Sequence, residues 1–323
     1  MSKISMSTYS FSNALYSDKI PTITDLFKVM KSLGADGVEI VSFNIMNGAE
    51  KMSFGSKNPE AAPDPVFPDG SHEQPKEKAE KPAFDPEAFM AMKKMMDEAA
   101  NTRPVLMDEI KAALKETGLV VSNMPVDFGD IGALDDEKRR ADIEMLKGWM
   151  DIAAELGSPS IRVNSGYADY DEQGNPKLDR CCDAYRELAE YGEKIGVMIT
   201  MENHGGITMD PAVCKAIYEK VNHPNFQLIP DFGNFHIGEA MYDGIETMFT
   251  CGNPPCVHVK TYAFDDDKYG FGRDCHTDFY RMAEIVKKHN YDGWYSVECN
   301  GACGPDYANV RETVEIIHKV FGA

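Results

Sequence analysis

Short runs of β-branched and aromatic residues recur along the chain, each followed by a longer stretch whose apolar positions repeat with helical spacing. The runs predict strands at 3–11 (KISMSTYSF), 37–43 (GVEIVSF), 118–126 (GLVVSNMPV) and 160–166 (SIRVNSG). Further strands are predicted at 197–204 (VMITMENH), 226–232 (FQLIPDF), 255–262 (PCVHVKTY) and 294–299 (WYSVEC). Between them, ITDLFKVMKSLG, DEIKAALKETG and AYRELAEYGEKIG place apolar residues at i, i+3 and i+4 and end in glycine, a common helix stop. Strand–helix alternation of this kind predicts a parallel sheet with right-handed crossovers. Eight units favour closure into a (β/α)8 TIM barrel, and no GxGxxG follows the first strand to suggest a dinucleotide-binding fold.

One segment breaks the rhythm. Residues 49–104 begin rich in Pro, Lys, Glu and Gly and end in FMAMKKMMDEA, which carries Met90, Met92, Met95 and Met96. We read a single barrel over residues 1–323 with an insertion after strand two: a long loop, then a Met-rich helix that packs on the barrel or serves as an adaptable lid or partner surface. A loop after a barrel strand opens at the catalytic end, which places the insertion near any site there.

Composition narrows the rest. The 323 residues exceed the roughly 250 of a typical barrel, which leaves room for the insertion, and the chain is 43% hydrophobic and 27% charged. A net charge of −20 argues against a nucleic-acid partner, because phosphate backbones repel an acidic surface. The eight cysteines form no CxxC pair and read as reduced thiols. With no apolar run long enough to span a bilayer and no signal-like start, the expectation is a cytoplasmic protein without a membrane partner.

Candidate chemistry sits where the last four predicted strands end. Strand five closes on Glu202-Asn203-His204, with Glu202 and His204 expected on one face because strand side chains alternate. Strand six ends at Asp231, followed by Asn234 and His236; strand seven sets His258 and Lys260 on one side; strand eight supplies Glu298. Alone, each reads as a cap, a core histidine or a rim charge. Together, neighbouring parallel strands would bring Glu202, Asp231, His258 and Glu298 around one point, and three crowded carboxylates call for a cation. Three oxygens and an imidazole suit one divalent ion, Mn²⁺ first, with Mg²⁺, Co²⁺ or Zn²⁺ as alternatives. Arg162 and Asn164 on strand four are candidates for binding substrate hydroxyls or for a salt bridge. Glu39 on strand two is a candidate to orient a neighbour or the substrate, Asn234 to bind substrate, and His236 to touch substrate or lie exposed.

The series GVEI, ENHGG, DFGN, VHVK and a terminal VE resembles the xylose isomerase-like barrel family over nearly the whole chain except 49–104. That family spans sugar isomerases, ketose 3-epimerases, inosose dehydratases and endonuclease-four-type AP endonucleases. The resemblance implies Glu202, Asp231, His258 and Glu298 as metal ligands. In the epimerase branch, the glutamates matching Glu202 and Glu298 also exchange protons with a sugar carbon from opposite faces. It implies a metal-dependent isomerase or epimerase acting on a small-molecule sugar or sugar conjugate, with Lys260 and His204 as further catalytic candidates. The chain also resembles the catalytic subunits of bacterial C-glycoside deglycosidases. That resemblance implies a lyase acting on 3-oxo-C-glycosides by β-elimination, with His204 as base and a small partner subunit; a homo-oligomer is the alternative assembly. An inosose dehydratase-like lyase and a non-catalytic sugar-binding barrel are the minor alternatives. The endonuclease branch needs extra histidines where this chain has Asn123, Asn164 and Asn234, and only Asp274-Cys-His276 faintly matches one of its ligand pairs.

Overall fold

The computed structural model describes residues 3–51, 94–300 and 303–322. Eight strands form one sheet: β1 (Lys3–Ser7), β2 (Gly37–Glu39), β3 (Val120–Val126), β4 (Ser160–Val163), β5 (Met198–Glu202), β6 (Phe226–Ile229), β7 (Cys256–Thr261) and β8 (Trp294–Cys299). Neighbours run in the order β6-β5-β4-β3-β2-β1-β8-β7, and each of these pairs is parallel. Closure of the (β/α)8 TIM barrel comes at the β6–β7 seam, through a single parallel bridge between Asp231 and His258. There His258 N donates to Pro230 O at 3.0 Å and Phe232 N donates to His258 O at 3.1 Å. Two of the metal-ligand candidates are therefore also the stitch that shuts the cylinder.

The helices are α1 (Ile23–Ser32), α2 (Ser42–Ile45), α3 (Met107–Thr117), α4 (Asp136–Glu155), α5 (Asp179–Ile195), α6 (Pro211–Val221), α7 (Glu239–Cys251), α8 (Asp266–Tyr269), α9 (Phe279–Lys288) and α10 (Ala308–Ile316). Their ends follow local chemistry. Thr22, Asp135, Asp210 and Asp278 accept from backbone N–H groups of the first turns of α1, α4, α6 and α9. Gly118 and Gly196 end α3 and α5 in the left-handed conformation, at φ 69° and 76°.

The strands predicted at 3–11 and 37–43 end early, as do those at 160–166 and 226–232, which stop at Val163 and Ile229. The first stops at Ser7, where Ser7 Oγ accepts from Tyr9 N and turns residues Thr8–Phe11 into a 3-10 helix. The second stops at Glu39 and gives way to α2 three residues later. Of the insertion, 52–93 lie outside the described residues, Met90 and Met92 with them. Residues 94–100 are helical, with Ala99 and Ala100 buried, Met96 packed on the core and Met95 exposed. Trp149 Nε1 on α4 donates to Ala100 O at 2.8 Å, which ties this helix to the barrel.

Residue parity along each strand decides what faces the axis. Val257 and Val259 alternate with His258 and Lys260 on β7, and Tyr295 and Val297 with Ser296 and Glu298 on β8; all are buried. The apolar set builds the layer between sheet and helices with Trp149, Tyr185, Phe226 and Phe279. The polar set fills the interior. No helix among the described residues is long and apolar enough to cross a membrane.

Candidate metal centre

The four strand-end candidates meet. Glu202, Asp231, His258 and Glu298 each offer one donor atom, all within 4.8 Å of one another and all buried. His258 Nδ1 lies 3.0 Å from Glu298 Oε2, 3.2 Å from Glu202 Oε1 and 3.4 Å from Asp231 Oδ2. A single imidazole proton can serve only one of three acidic oxygens, and Asp231 Oδ2 is buried with no hydrogen-bond partner among the described residues. Donors around a cation at about 2.1 Å stand about 3.0–3.4 Å apart, the spacing seen here from His258 Nδ1 to each of the three carboxylates. Three carboxylate oxygens and one imidazole nitrogen thus fit a divalent ion by number, chemistry and separation.

Electrostatics point the same way. Burial pushes the Asp231 carboxyl up, and the charges of Glu298 and Glu202 add to it against the opposing pull of Lys260. Burial also disfavours the His258 cation, yet Glu39, Glu202 and Glu298 outweigh it and draw the imidazole well above its ordinary value. The Glu298 carboxyl is held down to about 2, because Lys260 and His258 overcome the burial that would raise it. So many anions around one ring create a demand for positive charge, which a divalent ion supplies with less crowding than protons.

Each ligand is braced by a neighbour. Lys260 Nζ donates to Glu298 Oε1 at 2.6 Å, because strand register sets Lys260 beside Glu298. Glu202 Oε1 accepts from Asn234 Nδ2 at 2.9 Å, and Arg162 Nε forms an ion pair with Oε2 at 3.1 Å without a hydrogen bond. Arg162 is in turn held by Asp127 and by Asn164 Oδ1 at 2.8 Å. Asp231 Oδ1 accepts from Gly233 N at 2.8 Å. Asn203 clamps two strand ends, since its Nδ2 donates to Asp231 O at 3.0 Å and its Oδ1 accepts from Asp231 N at 2.7 Å.

A cavity of about 320 Å³ opens over the cluster, lined by Ser7, Tyr9, Asp127, Arg162, Asn164, His204, Lys260 and Glu298, with Val41, Phe43 and Pro125 forming an apolar wall. His204 reaches it from beyond the end of β5, where the chain has left the strand. Of the proposed sugar contacts, Arg162 and Asn164 line this cavity, while Asn234 stands behind Glu202. Two sit elsewhere. Glu39, the last residue of β2, is fully buried against His258 rather than in the cavity wall. His236 is exposed on the loop after β6 and is not part of the lining. Asp274 and His276 belong to neither cluster of metal-ligating side chains among the described residues. Asp127 went unread in sequence because nothing local marks it; its partners lie 35 and 37 residues away.

A crystal structure of L-ribulose 3-epimerase superposes with a TM-score of 0.66 at 14% identity, covering 100% of this chain and 95% of the other. The 3-keto-D-glucoside 4-epimerase of E. coli superposes at 0.62 with 18% identity, covering 98% and 99%. At such identities these likenesses speak for the fold. The L-ribulose-5-phosphate 3-epimerase of Escherichia coli (strain ATCC 8739) is 28% identical over 194 residues, a match spanning 58% of this chain and 66% of that protein, just under two thirds of its length. The family described as xylose isomerase-like TIM barrel matches residues 83–320, which include all four clustered residues. With the closed parallel barrel, that match establishes that the chain belongs to the xylose isomerase-like TIM barrel family.

Proposed function

We propose that this protein is a divalent-metal-dependent sugar epimerase or isomerase that moves a proton at a carbon next to a carbonyl. The observation that carries this reading is the convergence of Glu202, Asp231, His258 and Glu298 on one buried point, beside a cavity that Glu298 lines. Curated relatives named as L-ribulose-5-phosphate 3-epimerases support the reaction class. Mn²⁺ is the preferred ion, given the oxygen-rich donor set. Held by those four side chains, such an ion would polarise the sugar carbonyl and stabilise the enediolate charge.

The protein's own groups do the rest. Glu298 lines the cavity and Glu202 closes the cluster from the other side of β6 and β7, so a sugar drawn onto the ion would lie between the two carboxylates. One takes the proton and the other delivers it. Arg162 and Lys260 hold these carboxylates in their charged form, and Asn164 and Asp127 present polar atoms to sugar hydroxyls. Both cations are engaged by carboxylates, which favours an unphosphorylated sugar over a sugar phosphate.

A second reading keeps the proton abstraction and ends in elimination from a 3-oxo-C-glycoside. His204 in the cavity lining supports it as a base, and the wall of Tyr9, Val41, Phe43 and Pro125 as a seat for an aglycone. The test is metal analysis with deuterium uptake from D₂O into free ketoses and 3-oxo-glycosides. Exchange into a ketose with interconversion of epimers supports the first reading; aglycone release supports the second. Absence of both bound metal and solvent exchange overturns them together.

A further inference from the structure

His258 spends its two ring nitrogens differently. Nδ1 faces the three carboxylates, whereas Nε2 lies 2.9 Å from Glu39 Oε2, with both side chains fully buried. The same Glu39 oxygen accepts from Asn123 Nδ2 at 3.0 Å. Asn123 Oδ1 in turn accepts from Ser160 Oγ at 2.7 Å. Four strands therefore contribute to one buried relay: Ser160 on β4, Asn123 on β3, Glu39 on β2 and His258 on β7. None of Glu39, Asn123 and Ser160 lines the cavity, so the relay does not touch a substrate there.

We propose that Glu39, oriented by Asn123 and Ser160, is the positioning residue that sets which nitrogen of His258 faces the metal. A neutral imidazole carries one proton and can place it on either nitrogen. An acidic acceptor at Nε2 keeps the proton there and leaves the Nδ1 lone pair for a cation, while raising that nitrogen's basicity. The relay also gives Asn123 a direction. Its oxygen is engaged by the Ser160 hydroxyl, which leaves its amide nitrogen to donate to Glu39. Glu39 is thus taken out of the sugar-contacting set and placed behind the metal.

The main competitor is a second ion. Glu39, Cys256 and His258 bring three ligating atoms within 4.8 Å, and Glu39 Oε1 is buried without a hydrogen-bond partner. The 2.9 Å contact assigns Nε2 to a hydrogen bond instead, so the relay and a second ion make opposite predictions.

This inference rests on the metal reading of the Glu202–Asp231–His258–Glu298 cluster, and the experiment separates the two. Metal-stripped full-length protein is titrated with Mn²⁺ in a calorimeter, alongside E39A, E39Q, N123A and the E39A/N123A double variant. One ion per wild-type chain is expected, with affinity falling about 10–100-fold in E39A. E39Q, which keeps an acceptor oxygen and the side-chain shape, loses less and carries the test if E39A does not fold. The double variant binds no more weakly than E39A, because Asn123 acts through Glu39. In ¹H,¹⁵N-histidine spectra of the protein loaded with diamagnetic Zn²⁺, the His258 Nε2 proton is shifted downfield by its hydrogen bond to Glu39, and N123A and E39Q move it upfield. Mn²⁺ affinity in both Glu39 variants equal to wild type overturns the positioning role. So does a second wild-type ion that disappears with Glu39. No ion at all in the wild type overturns the cluster reading itself.

Discussion

Single side chains at this centre do two things at once, and their substitutions should separate stability from turnover. Asn203 bonds both backbone groups of Asp231 and does not line the cavity. Asn203→Ala leaves a buried N–H and a buried C=O unpaired, each worth about 1–3 kcal/mol. A loss of stability of that order, read as a lower urea unfolding midpoint, is expected, with weaker metal uptake because Asp231 loses its anchor. Glu298→Gln is the opposite case. It keeps the shape and an oxygen for Lys260 but removes the carboxylate, so folding by circular dichroism should be retained. Turnover, followed as solvent deuterium exchange, should fall about 10²–10⁴-fold. Turnover equal to wild type in this variant would remove Glu298 from the proton-transfer role. Glu202, Asp231, His258 and Glu298 could be picked from sequence because each places a metal-compatible group on one of four successive predicted strands. Asp127 and Asn123 could not, since their roles exist only through partners on other strands, 35 residues away for Asp127 and 84 for Asn123.

Pairs of elements carry the next predictions. On the outside, Glu187 of α5 receives Arg140 and Lys147 of α4, at 2.6 and 2.8 Å, and Glu144 joins the same network. The hydrogen bond from Arg140 leads in holding the Glu187 carboxyl at about 2, with Lys147 adding to it against partial burial. Its folded value lies below its unfolded one, so the contribution is present above about pH 4.5 and is lost as pH falls toward 2. Glu187 is about a third exposed, so the gain is below about 1 kcal/mol after solvent screening. Glu187→Gln should flatten that part of the acid limb in stability measured against pH, and salt should do the same to the wild type. On the inside, the β6–β7 seam depends on backbone bonds at His258 and Phe232 beside the metal candidates. Metal loading should slow hydrogen exchange of these amides more than that of β4 or β5. Equal protection across all strands would show that the ion does not brace the seam. Helix ends were readable in advance because caps and left-handed glycines act within a few residues. The early ends of β1 and β2 were not, because turn geometry competes there with strand propensity over the same residues.

For the molecule as a whole, a buried ion that binds only the closed barrel must stabilise it by linkage. At a free ion concentration of a hundred times the dissociation constant the gain is about 2.7 kcal/mol. A chain of this size gains about 2–4 °C in Tm per kcal/mol. A rise of several degrees on Mn²⁺ addition, reversed by a chelator, is therefore expected; an unchanged melting curve would argue that no ion binds. The net charge of −20 sharpens this, since part of it is gathered at the barrel axis where a cation offsets it.

Periodicity, caps and strand-end chemistry act over short stretches of chain, so the order of strands and helices, the barrel class and the four crowded donors could be read from residues alone. Tertiary structure decided the rest. Register between strands put Lys260 against Glu298, and closure of the barrel put Glu39 beside His258, choosing between the two readings the residue offered. The closing bridge fell at Asp231 and His258, a meeting of chain segments that no local pattern encodes. Local propensity depends on neighbours in sequence, whereas a site depends on which side chains the closed barrel forces to share one buried point.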